Sequence, residues 1–400
     1  MNRMLYVKTL EDAYIELQKI GVSSQGIVVM APKALQMVIK LTNVKVGAAN
    51  ILKQEMLSIG GDAAVARGVV EGSVPKSDVI LLGNADKIKK LIKKLEHQTI
   101  FGLPDIKKDL ENFLKQVSNK KPKTIRFGEK EFVLNSTKIM GILNVTPDSF
   151  SDGNLFFSPQ KAVEHALRMI ENGADIIDIG GESSRPGAKK ISAEEELNRI
   201  IPVISRLREK SDIPISVDTY KAEVAKRAIS AGASMINDIS ALRFDKQMVE
   251  VLQKNENIPV ILMHMQGTPE TMQQNPFYED TVEEILEFFR ERIDFCVEHG
   301  ISKDRIIIDP GIGFGKRQSD NLIILKKISE FRCFGVPVLV GASRKSFIGK
   351  IYESSPESRL EGSLAVTAIA HENDVEMIRV HDVEEHKKFL KVLQTIRNAE

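Results

Sequence analysis

Polar residues gather at the ends of short apolar runs between residues 136 and 400. The first run ends Gly141-Ile-Leu-Asn144 and continues to Phe150 and Asp152; the second ends Asp178-Ile-Gly-Gly-Glu182-Ser-Ser184-Arg185-Pro186. Later runs end at Asp218-Thr219, Asn237-Asp238, Met263-His264, Asp309-Pro310-Gly311, Gly341-Ala-Ser343-Arg344-Lys345-Ser346 and Arg379-Val-His381-Asp382. Any one of these is also a plausible helix cap, since Asp, Asn and Ser are favoured there. Eight such ends converging on one face describe a site. Arg185, Lys345, Arg379 and His381 place positive charge together, and Gly341 lets backbone N–H groups approach an anion, which suits a phosphate or diphosphate. Asp218 and Asp309 can accept hydrogen bonds from the N–H groups of a nitrogen heterocycle, and Asn237 can both donate and accept. Asn144 offers a hard oxygen to Mg²⁺, which keeps several waters and binds through few protein ligands.

The elements that must position these residues alternate. Strands are expected at Ile139–Leu143, Asp175–Ile179, Ile213–Val217, Met235–Asn237, Val260–Met263, Ile306–Asp309, Val338–Val340 and Met377–Val380. Amphipathic helices are expected between them at Gln160–Asn172, Ala193–Lys210, Lys221–Ala231, Thr281–Glu298 and Asn321–Phe331, with Val383–Arg397 closing the chain. Eight strands in 265 residues fit a (β/α)8 TIM barrel, whose chemistry sits at the carboxyl ends of the strands. An open doubly wound sheet is the competing architecture, because strand count does not prove closure.

Before the barrel, residues 1–121 form a smaller N-terminal α/β domain, with buried strands expected at Ile27–Met30 and Val79–Leu82 and helices at Lys87–Leu95 and Asp105–Val117. Gly60-Gly61-Asp62 lacks a full phosphate-loop signature and is expected to be a turn. The polar, basic stretch Val117–Lys123, broken by Pro122, marks the boundary, and 122–135 holds a linker and a hairpin. The net charge of +1 argues against a nucleic-acid partner bound through bulk positive charge. No apolar run approaches a membrane span, and the charged N-terminus is unlike a signal peptide, so a cytoplasmic setting is the default. Cys296 and Cys333 have no CxxC context and are expected to be buried apolar filler. No GxGxxG or GxxxxGK[ST] loop points to a nicotinamide or nucleoside triphosphate.

GILNVTPDSFSDG, DIGGESSRPGA, DPGIGFGK, SRKS and RVHD, in this order, closely resemble the dihydropteroate synthase family over essentially all of 136–400. The resemblance implies a transferase of folate biosynthesis, the sulfonamide target, which joins 6-hydroxymethyl-7,8-dihydropterin diphosphate to 4-aminobenzoate. It implies Mg²⁺ and diphosphate at Asn144, diphosphate at Arg379 and His381, and pterin at Asp218, Asn237, Asp309 and Lys345. It places 4-aminobenzoate near Phe150, Ser184, Arg185, Pro186, Phe314 and Ser346. Phe150 and Asp152 match the loop that closes over the substrates, and Asp152 joins Asp218, Lys345, Arg379 and His381 as catalytic. Ser184 stands where many members carry Thr. Many members are homodimers; the family pattern says nothing firm about 1–121.

Two other readings stay open at this point. A methyltetrahydrofolate-binding methyltransferase shares the barrel but has no diphosphate to release, and Ser343–Ser346 with Arg379 and His381 favour the synthase. A pterin-binding protein without chemistry is the other, and the intact Asn144, Lys345, Arg379 and His381 oppose it. His264 can face the site or make a structural hydrogen bond. Glu182 has no assigned role.

Overall fold

The computed structural model describes residues 2–118, 122–146, 158–183 and 187–399. The chain separates into two compact units, Met1–Lys121 and Pro122–Glu400.

In the first unit, β1 (Met37–Lys45), β2 (Asp62–Val65) and β3 (Lys76–Gly83) form an antiparallel sheet in the order β1-β3-β2. Strand β3 alternates, burying Val79 and Leu81 while Ile80 and Leu82 face out. The buried face packs on the helices Val46–Ser58, Ala85–Leu95 and Leu103–Ser118 through Leu52, Met56, Ile88, Leu91 and Leu110. Ile27–Met30 is not a strand. It ends a short helix, Ser24–Met30, whose start is capped by Ser23 Oγ accepting from Gly26 N at 3.2 Å. Only Ile27 of that run is buried. A four-residue apolar run carries no period of its own, and the local cap decides it.

The second unit opens with a hairpin, β4 (Lys123–Phe127) and β5 (Lys130–Leu134). Eight parallel strands follow: β6 (Lys138–Asn144), β7 (Ile176–Gly180), β8 (Ile215–Asp218), β9 (Met235–Asp238), β10 (Val260–Met263), β11 (Ile306–Asp309), β12 (Leu339–Val340) and β13 (Met377–Val380). Neighbours run in sequence order from β6 to β11, and β13 lies between β6 and β12. The ring closes where Ile308 bridges Val338 and Ile308 N donates to Pro337 O at 3.0 Å. This is a closed barrel, not an open doubly wound sheet. Its strands are buried on both faces, which is why they appear as continuous apolar runs. Ile125 and Leu134 of the hairpin join Met140, Ile176, Met235, Ile261, Ile307, Leu339 and Met377 in one cluster among early strand residues. The hairpin thereby plugs the amino-terminal end and leaves the carboxyl ends for the site.

The expected helix Asn321–Phe331 divides. Arg317 N donates to Asp320 Oδ2 at 2.7 Å and starts the helix early, at Gln318; it stops at Lys326, and a 3-10 segment, Ile328–Phe334, follows. Cys296 is buried, but Cys333 is exposed and not core filler, because it lies in that 3-10 segment and not on a helix face packed inward. Among the described residues no helix is long and apolar enough to cross a membrane.

Candidate active site

Register places the first half of the site. Asn144 pairs laterally with Gly180, Gly180 with Asp218, and Asp218 with Asn237, so the last residues of β6 to β8 and Asn237 of β9 stand in one row. Gly180 sits between the two polar ends: a Cβ there would make ordinary contact, 3.5 Å from Asp218 Cβ and 4.0 Å from Asn144 Oδ1. Met263 pairs with Asp309 on the far side.

Arg379 projects across this row from β13. Its Nε donates to Asp178 Oδ2 at 2.6 Å and its Nη2 to Asp218 Oδ2 at 2.8 Å. Asn237 Nδ2 donates to the same Asp178 oxygen at 3.3 Å. Asp178 is fully buried, and its second oxygen, Oδ1, has no partner among the described residues. Gly341 marks how near the two groups lie, since a Cβ there would fall 3.7 Å from both Arg379 Cβ and Asp309 Oδ2.

The electrostatics follow from burial. Burial raises the Asp218 carboxyl to about 7, against the pull of Arg379 and with the push of Asp178. Burial likewise raises Asp309, while Lys345 and the N–H of Gly311, which donates to Asp309 Oδ1 at 2.8 Å, pull it down. Burial lowers the Lys345 ammonium to about 8, with Asp309 opposing. That ammonium donates to Ile312 O and lies 4.6 Å from the centre of the Phe314 ring.

His381 is held by Ser343, whose Oγ lies 3.1 Å from His381 Nδ1 and accepts from His381 N at 3.2 Å. Arg344, adjacent, is a strut: it binds Asp382 through Nε at 3.0 Å and through Nη2, and its N donates to Ser363 Oγ at 3.0 Å. Ser346 begins the helix Ser346–Tyr352 and is exposed. The expected residues Phe150, Asp152, Ser184, Arg185 and Pro186 lie outside the described residues. Among the described residues no cluster of three His, Cys, Asp or Glu could hold a metal.

Two groups gain a place that sequence reasoning did not give them. Asp178 carries the Arg379 contact; a carboxylate inside the apolar run Ile176-Ile-Asp-Ile179 had to be paired, and that was the available signal. Glu182 accepts from Tyr220 Oη at 3.0 Å and from Lys221 Nζ at 2.5 Å, and Lys221 also reaches Glu196 Oε2 at 2.6 Å and Ile191 O at 2.8 Å. His264 turns inward onto Lys316, Nδ1 to Nζ 2.9 Å.

A family model described as pterin binding enzyme matches residues 140–381. A dihydropteroate synthase of Synechocystis is 44% identical over 285 residues, covering 71% of this chain and 98% of that protein. The chain belongs to the dihydropteroate synthase family. A structure of the Xanthomonas albilineans synthase with 4-aminobenzoic acid superposes with a TM-score of 0.66 at 43% identity, covering 70% of this chain and all of that one. A probable bifunctional folylpolyglutamate synthase/dihydropteroate synthase of Halobacterium salinarum is 36% identical over 396 residues, 98% of this chain and 47% of that protein. The first unit therefore also has a counterpart in sequence within this family.

Proposed function

We infer that the chain condenses 6-hydroxymethyl-7,8-dihydropterin diphosphate with 4-aminobenzoate, giving 7,8-dihydropteroate and diphosphate. The observation that carries this reading is Arg379 held between Asp178 and Asp218, with Asp309 and Lys345 across the same barrel mouth.

These five side chains hold three carboxylates against two cations. A pocket with that balance suits a ligand that becomes electron-poor. The pterin methylene can bear positive charge by delocalising it into the ring, so cleavage of its carbon–oxygen bond can run ahead of attack. In this reading Asp218 and Asp309 accept the pterin N–H groups and stabilise the developing cation. Asn144, His381 and the outer face of Arg379 receive the departing diphosphate. The arylamine is a free base at neutral pH, so attack needs no strong general base. Phe150, Asp152, Ser184, Arg185, Pro186, Phe314 and Ser346 are assigned to the 4-aminobenzoate side and to the exclusion of water.

An amide oxygen beside an anion site fits Mg²⁺, which uses one or two protein oxygens and otherwise waters and substrate phosphate. Asn144 would hold it, and the ion would neutralise charge on the leaving group.

Diphosphate release that depends on 4-aminobenzoate tests the reading. A methyltransferase or an inert pterin binder would release none. Entry of labelled diphosphate into substrate without 4-aminobenzoate would support cleavage ahead of attack. Because the Synechocystis relative is aligned along 98% of its own length with 71% of this chain, the chemistry is assigned to the second unit. A structural or assembly role is assigned to the first, and a homodimer, which the family resemblance implies, to the late helices of the barrel. Residues 124–400 alone, fully active and of unchanged oligomeric state, would refute that role.

A further inference from the structure

Lys316 closes the DPGIGFGK segment, is buried, and takes no part in the chemistry above. Its Nζ lies 2.9 Å from His264 Nδ1 and donates to Phe314 O at 3.0 Å and to His264 O at 3.3 Å. His264 is itself buried, its ring set edge-on to Phe288 at 4.8 Å. Burial, with Lys316 and Arg243 nearby, holds this imidazole well below its usual range. It is therefore neutral, with one ring nitrogen a donor and the other an acceptor. Burial also lowers Lys316, to about 7, with Asp309 opposing, and an apolar side chain would fill the space without that desolvation cost. What the polar head adds is direction.

The direction it imposes is visible in the loop. Gly311, Gly313 and Gly315 all have left-handed backbone, with φ of 68°, 86° and 61°. A Cβ at Gly311 would stand 2.0 Å from His264 O, and one at Gly315 would stand 2.5 Å from Gln266 O, so the loop lies directly on the segment after β10. Between these glycines, alternate carbonyls meet different lysines: Ile312 O accepts from Lys345 and Phe314 O from Lys316. The Phe314 ring then lies under the Lys345 ammonium.

We propose that the Lys316–His264 pair is a positioning device for the acceptor substrate, fixing the Phe314 backbone so that its ring and the Lys345 ammonium above it admit 4-aminobenzoate. This rests on the assignment of Phe314 to the 4-aminobenzoate side. Neither Lys316 nor His264 touches substrate; both act through Phe314.

Steady-state kinetics of the full chain with both substrates test it, using Lys316→Met, His264→Ala, His264→Asn and Phe314→Ala. Lys316→Met and His264→Ala should each raise KM for 4-aminobenzoate about tenfold, the scale of one lost buried hydrogen bond. In both, kcat/KM for the pterin diphosphate should stay within about twofold. His264→Asn supplies an amide, which can donate or accept where Nδ1 stood, and should restore KM. If Lys316→Met fails to fold, the two His264 variants decide. An unchanged KM in His264→Ala, or an equal loss toward both substrates that His264→Asn does not restore, overturns the proposal. Phe314→Ala separates the two assignments. If it leaves KM unmoved, the placement of Phe314 is wrong; if it raises KM while His264→Ala does not, Phe314 stands and the positioning pair falls.

Discussion

Arg379 Nη2 donates to Asp218 Oδ2 at 2.8 Å while the Nε of the same guanidinium holds Asp178. One cation thus serves two carboxylates, and Arg379 is shared between them. Asp218→Asn should lower turnover by about 10²-fold or more, the scale of removing one preorganised electrostatic partner. It should not lower stability, because Arg379 keeps Asp178 and a costly second buried carboxylate is gone. Turnover assays paired with thermal melts check both halves; near-normal turnover would remove Asp218 from the mechanism.

That relationship spans β8 and β13 and was only half legible in the sequence. The strands were plain, because buried parallel strands are continuous apolar runs closed by turn residues. The polar ends of those strands marked Asn144, Asp218, Asn237, Asp309 and Arg379. Asp178 stands among those polar ends, but the sequence alone gives it no role. Its partner lies 201 residues away, so no local spacing could name it. Ile27–Met30 misleads for the opposite reason: a short apolar run suggests burial, yet Val28 and Val29 are exposed on a capped helix. His264 needed coordinates, since nothing in Met263-His264-Met265 says which way the ring turns.

The pH dependence follows from Asp218. Its carboxyl is raised to about 7 in the fold, mainly by burial. The proton-bound form is therefore favoured by folding, and the stability this gives is lost as pH rises from the ordinary carboxylate range through about 7. Activity runs the other way, since an ionised Asp218 is needed to accept the pterin N–H. The pH profile of kcat/KM for the pterin diphosphate should fall about tenfold per unit below roughly pH 7, and Asp218→Asn should erase that limb. A limb of unchanged position in the variant would assign it to another group.

Arg379→Lys keeps the charge and loses the fork. An ammonium is a point donor on a flexible stem and cannot hold Asp178 and Asp218 in the fixed geometry of Nε and Nη2. A loss of about 10²-fold or more in kcat/KM for the pterin diphosphate is expected, with the barrel still folded. Retention of most activity would show that charge alone suffices at this position.

Asn144 offers the proposed Mg²⁺ a single amide oxygen beside Gly180. Chelation should stop turnover, and added Mg²⁺ should restore it. Asn144→Ala should raise the Mg²⁺ concentration for half-maximal rate by about tenfold or more, the usual cost of losing one contact around a metal. Titrating Mg²⁺ against both forms at fixed pterin diphosphate measures it, and identical curves would move the ion elsewhere.

Lys221 gives the last prediction, on stability. Its ammonium lies 2.5 Å from Glu182 and 2.6 Å from Glu196, and it also caps Ile191 O. Glu196 is nearly inaccessible, its Oε1 has no partner among the described residues, and burial raises its carboxyl despite Lys221. Lys221→Met would leave both carboxylates facing each other without a cation. Breaking such a buried group by removing one partner costs about 3 kcal/mol or more. Urea denaturation should show that loss, and Lys221→Met with Glu196→Gln should recover a large part of it by removing the charge left unpaired. If the single variant is as stable as the parent, Lys221 is not what holds Glu182 and Glu196 together at the base of the second barrel loop.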